Sequence, residues 1–238
     1  MTIKNILKEG VSIGLKNFFP LIGVTILYLL TCWIPYINVG STIALVSLPA
    51  AMSRNEKIKP MGIFDSKYRK NMGNFFILSF MYLLGFVVGI VFGIIPGVIL
   101  TYSWYIAFLL LIDKEMDPMT SLTESNRLTY GHKSNIFFSI LIIGVALNII
   151  STLISYIASL DAVFDCLSYR YGSYRFWETL ACMYPESYSY GNFSLVIPIL
   201  ISVVLQIMLV LIYTPIMMGC KAFIYKSLTS AMDVKGKV

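Results

Sequence analysis

Long stretches carry no Asp, Glu, Lys or Arg at all, among them residues 17–53, 72–112 and 134–160. Each is long enough to cross a hydrocarbon core at least once, which takes about 20 apolar residues in a helix. A helix satisfies every backbone N–H and C=O within its own segment, as a bilayer demands. Only 13% of the 238 residues are charged and 58% are hydrophobic, whereas soluble domains run near a quarter charged. The reading is an all-α polytopic integral membrane protein, one domain over residues 1–238. The net charge of +6 does not point to nucleic acid, because the basic residues flank apolar runs instead of forming one stripe. Lys4, Lys8 and Lys16 precede the first run, yet that run is too long for the apolar core of a signal peptide.

The breaks within these runs suggest six transmembrane helices arranged as three hairpins, at about residues 18–36, 38–53, 74–94, 97–112, 136–160 and 193–218. Pro35 and residues 38–40 mark the first turn, and the Gly93-Ile94-Ile95-Pro96-Gly97 sequence the second. The span at 38–53 is short, so it either tilts, thins the bilayer or penetrates only in part. Residues 161–192 join the last two spans. Ahead of the first, residues 1–17 read as an interfacial amphipathic helix: Ile3, Ile6, Leu7, Gly10, Val11 and Gly14 share one side, and Lys4, Lys8, Glu9, Ser12 and Lys16 the other. Its lysines suit anionic headgroups. Asp117 is placed to cap a helix that starts at Pro118, and Gly131 to end it.

Six crossings with both termini in the cytoplasm put every basic residue except Arg170 and Arg175 on the inner side, the partition expected of a cell membrane protein. Five or seven crossings strand part of that charge. Asn-Phe or Asn-Ile-Phe sequences recur at residues 17–19, 74–76 and 135–138, each at the entrance to a hairpin, which is either a threefold internal repeat or a coincidence of interfacial residue types.

The stretch Gly93 to Leu100, then Ser103, Ala107 and Asp113, then Met119-Thr120-Ser121-Leu122-Thr123-Glu124-Ser125-Asn126-Arg127-Leu128-Thr129-Tyr130-Gly131, resembles a bacterial pattern. It looks like the six-helix membrane domain found beside some bacterial glycerophosphodiester phosphodiesterases, and like related stand-alone membrane families of unknown function. In the fused relatives the chemistry belongs to a separate soluble barrel, so the resemblance carries no catalytic residue to this chain and implies that it is not an enzyme. A typical member has Ala at the position of Thr123 and another basic residue at that of His132.

No constellation in the sequence suggests a cofactor or a metal. His132 is the only histidine and stands beside Lys133 in a loop, without the partners a zinc site or proton relay requires. The intramembrane polar groups are Asn148 and Gln206, at similar depth in the last two spans; such groups bond across helices more often than they bind substrate. Gly85, Gly89, Gly93 and Gly97 recur every four residues, a ridge for helix packing inside the protein or between copies. Outside, Tyr169, Tyr171, Tyr174 and Trp177 form an aromatic surface that suits a belt on the headgroups, a protein partner or a small ligand. Cys166 and Cys182 share that outer side and are expected to pair as a disulfide, the alternative being two free thiols buried against the aromatics, whereas Cys32 and Cys220 are expected to stay reduced.

Two functions compete. The first is a non-enzymatic protein of the bacterial cell membrane acting by assembly or interaction within the envelope, with the lipid bilayer and a protein at the external aromatic segment as partners. The second is a channel or facilitator for a small solute or lipid, with a polar path past Asn148 and Gln206.

Overall fold

The computed structural model describes residues 1–170 and 193–235, and among them it contains helices and no strand. In chain order these are α1 (Ile3–Lys16), α2 (Phe18–Thr31), α3 (Pro35–Ser53), a 3-10 turn (Pro60–Phe64), α4 (Ser66–Lys70), α5 (Met72–Val91), α6 (Ile94–Ser103), α7 (Ala107–Asp113), α8 (Pro118–Thr129), α9 (Lys133–Arg170) and α10 (Phe193–Lys235). Five segments are long and apolar enough to cross a membrane: Pro35–Ser53, Met72–Val91, Ile94–Asp113, Lys133–Leu153 and Val203–Ser230. The bent pair of α1 and α2 makes a sixth only if the two helices are counted as one broken span. The helix content and these segments are those of a multi-pass membrane protein.

The chain divides into two compact units, Met1–Ile143 with Ile212–Val238, and Gly144–Leu211. The second contains, among its described residues, only parts of α9 and α10. The first has two buried apolar clusters. Leu21, Val24, Ala44, Leu48, Met52, Ile63 and Ala222 join α2, α3, the 3-10 turn and α10. Leu78, Ala107, Leu111 and Leu122 join α5, α7 and α8. Half of the α3 span is buried but only 11% of α5, so α3 faces protein while α5 presents Leu83, Leu84, Val87, Val88 and Val91 to its surroundings.

The first hairpin differs from expectation. A full span at residues 18–36 followed by a short one is reversed: α2 has 14 residues, about 21 Å at 1.5 Å per residue, and α3 has 19. Pro35 explains the shift, because it holds Ile34 extended (φ −99, ψ 102) and then serves as the first residue of α3. The turn is therefore residues 32–34. Asn38 lies inside α3, and its side-chain amide donates to the Cys32 carbonyl at 3.1 Å.

Between α1 and α2 the axis turns by 72° at Asn17. The Asn17 side chain donates to the Ile13 carbonyl at 3.0 Å, closing α1, and its own carbonyl accepts from Leu21 N–H at 3.1 Å, opening α2. The second hairpin turns at Phe92 and Gly93, and the φ of +133 at Gly93 suits glycine. Pro96 and Gly97 belong to α6, so the fourth span begins at residue 94 and not at 97, and it is broken at residues 104–106. Asp117, Pro118 and Gly131 (φ +80) bracket α8. α9, with 38 residues, and α10, with 43, run beyond the spans expected at 136–160 and 193–218.

Candidate functional site

Three charged residues at the ends of apolar spans, Arg54, Glu56 and Asp113, converge at one place. After α3 the chain reverses through Asn55, a left-handed residue (φ 57) of a type that tolerates this conformation. The Arg54, Asn55 and Glu56 N–H groups donate to the carbonyls of Ala51, Met52 and Ala51. This tight turn lets Arg54 Nε donate to Glu56 Oε1 at 2.6 Å, while Arg54 Nη1 pairs with Asp113 Oδ1. The hydroxyl of buried Tyr225 donates to the other Asp113 oxygen at 2.6 Å. Asp113 closes α7, where a negative charge opposes the helix dipole, and its side chain is only 11% exposed. The guanidinium and the phenol offset both costs. The hydrogen bond to Glu56, opposed by partial burial and reinforced by Asp113, holds the Arg54 charge well above the ordinary arginine range. A cavity of about 210 Å³ opens beside it, lined among others by Arg54, Glu56, Lys67, Asn71 and Asp113.

A second polar junction repairs the break between α6 and α7. The Ser103 carbonyl, left without a helical donor, accepts from Ser125 Oγ at 2.9 Å and Thr129 Oγ1 at 3.1 Å. Ser121, Ser125 and Thr129 lie four residues apart on α8 and are fully buried. Ser121 Oγ has no partner among the described residues. Ser125 and Thr129 thus bind α8 to its broken neighbour. Beside the break, Tyr102 stacks on Tyr105 and meets Phe137 edge-on. The ammonium of Lys221 lies 5.3 Å from the centre of the Tyr105 ring. Lys221 is a half-buried residue of α10, one turn before Tyr225, and not part of a free tail.

Glycines bring two helix pairs close together. A Cβ on Gly89 would stand 2.8 Å from the Gly97 Cα, and one on Gly85 would strike the Trp104 ring. The other crossing joins α1 to α10: a Cβ on Gly10 would be 2.7 Å from the Cys220 Cα, and one on Gly219 would strike the Gly10 carbonyl and the Gly14 backbone. The apolar side of α1 is therefore covered by α10, and Ile6, Gly10 and Gly14 are buried. Asn135 at the start of α9 donates to the Met1 carbonyl at 2.7 Å.

Asn148 and Gln206 are both exposed. The Asn148 amide donates to the Gly144 carbonyl of its own helix at 2.8 Å, and among the described residues no hydrogen bond joins it to Gln206. Cys32 and Cys220 are free thiols. Tyr171, Tyr174, Trp177 and Cys182 lie outside the described residues, as do the side chains of Cys166 and Tyr169. Arg54, Asp113, Tyr225, Ser103, Ser125 and Thr129 were not singled out as site residues from the sequence. For Arg54 and Asp113 a signal existed, since each is the first charge after a charge-free stretch. No family model, curated protein or solved structure matches the chain.

Proposed function

We propose that the chain is a non-enzymatic multi-pass protein of a bacterial cytoplasmic membrane, with both termini in the cytoplasm, which acts by assembly or interaction within the envelope. Gln206 carries the reading. It stands exposed in the apolar Val203–Ser230 segment without a hydrogen-bond partner among the described residues, and an amide in hydrocarbon requires one. A helix of a partner protein supplies it. The topology is supported by contacts among the segments expected inside: Arg54 and Tyr225 both reach Asp113, and Asn135 reaches the amino-terminal residue. The resemblance to the membrane domain of the phosphodiesterases, through residues that here serve packing, agrees with a role without catalysis.

The same exposed amide also favours the second reading, a facilitator in which Asn148 and Gln206 border a hydrated path. Purification in mild detergent separates the two. Assembly predicts a stoichiometric partner that is lost in Gln206→Leu, with no solute flux in liposomes; flux altered by Gln206→Leu without any partner overturns it. The topology is tested by single cysteines at Lys57 and His132, which an impermeant thiol reagent should leave unlabelled in intact cells.

A further inference from the structure

A larger cavity, of about 430 Å³, lies in the first unit between α1, the end of α3 and α10. It falls within the roughly 300–1,000 Å³ of small-molecule sites, unlike the 210 Å³ cavity beside Asp113. Ile13, Met52 and Phe223 supply its apolar lining, and Glu9, Lys16 and Lys226 its charges. None of these three is ion-paired among the described residues. Ser12, Asn55 and Ser227 add free polar side chains, whereas the Ser53 hydroxyl is already bound to the Ala50 carbonyl at 2.6 Å. Two unpaired ammonium groups and one unpaired carboxylate around one cavity match a ligand with a negative and a positive group. Beside Lys16, at the bend from α1 to α2, Leu15 and Phe19 are 57% and 83% exposed. Large apolar side chains in such positions suit acyl chains.

We propose that this cavity binds the headgroup of a phospholipid that carries both a phosphodiester and an amine, with Lys16 and Lys226 serving the phosphate and Glu9 the amine. The proposal rests on the membrane reading and is independent of the assembly reading. It makes α1 a lipid clamp: α10 covers one side of the helix, and its polar side contributes to the headgroup site.

The test is native mass spectrometry of the full chain in detergent, titrated with phosphatidylethanolamine, phosphatidylglycerol or glycerophosphoethanolamine, the last having the headgroup without chains. The wild type should retain phosphatidylethanolamine over phosphatidylglycerol. Lys16→Gln with Lys226→Gln should lower that retention about tenfold or more, since both cations at the site are lost. Lys57→Gln with Lys59→Gln makes the same charge change away from the cavity and should leave it unaltered. Glu9→Gln should reverse the preference towards phosphatidylglycerol, and as a change at an exposed residue it keeps the test open if the double lysine variant fails to fold. Equal retention of both lipids by the wild type, equal loss in the Lys57 and Lys59 variant, or unchanged preference in Glu9→Gln overturns the proposal. Competition by glycerophosphoethanolamine at the same concentration as the lipid also overturns it and assigns the site to a soluble phosphodiester. Cysteine labelling reports on the membrane topology separately, so the two failures remain distinguishable.

Discussion

The two glycine crossings of the first unit solve one problem in opposite ways. Between α5 and α6 the partners are neighbours in sequence; of the four glycines expected to form one packing ridge, Gly85 and Gly89 lie on α5, Gly97 lies on α6, and Gly93 is in the turn between them. Between α1 and α10 they stand some 200 residues apart, and no periodicity reveals them. The first crossing also has side chains at its edge, Trp104 against Gly85 and Leu100 against Gly89. The second sets backbone against backbone at Gly14 and Gly219, while a Cβ on Gly10 would meet both the Cα and the Sγ of Cys220 at 2.7 Å. A side chain can rotate away from an added methyl group, whereas a hydrogen-bonded helix backbone cannot.

The sharpest attack on this contrast is Gly219→Val, which drives two methyl groups into the α1 backbone and should cost about 3 kcal/mol or more. Thermal unfolding in detergent measures the loss. Alkylation of Cys220, buried beside Gly10, should speed up as α1 lifts; unchanged reactivity would mean that the crossing is not tight. Gly89→Ala meets the Gly97 backbone on one side and the movable Leu100 on the other. About 1–3 kcal/mol is expected, which by the same assay falls below Gly219→Val. At Gly85 the obstacle is the far end of Trp104, packed against Tyr82. Gly85→Ala should cost about 1 kcal/mol, and adding Trp104→Phe should recover part of it. Failure of that rescue would place the constraint in the backbone and erase the distinction. The smallest effect, of opposite sign, belongs to Gly144→Ala: nothing lies within 4 Å of an added Cβ, so helix propensity alone should raise stability by up to about 1 kcal/mol.

Local chemistry made much of the fold legible. Pro118 and Gly131 bracket a helix because the fixed proline φ and a positive φ act within a residue or two, whereas the Asp117 side chain, expected to cap it, makes no cap hydrogen bond. The first turn was misplaced because Pro35 was read as part of it, although proline there opens α3. The amphipathic pattern of α1 identified its buried side but not the neighbour that covers it, since lipid and a glycine-bearing helix are equally apolar to a periodicity. Arg54 and Asp113 were visible as the limits of charge-free stretches, but their pairing spans 59 residues, and that of Asp113 with Tyr225 spans 112.

The sequence by itself determined that the chain is helical, which segments suit a bilayer, and where charge begins and ends, because desolvation of each residue and hydrogen bonding along the backbone are local costs. Only the tertiary structure decided that α1 lies on α10, that the Ser103 carbonyl is repaired by Ser125 and Thr129, and that Glu9, Lys16 and Lys226 border one cavity. Those arrangements depend on which distant surfaces approach closely enough to exclude everything else, and no single segment of the chain carries that information.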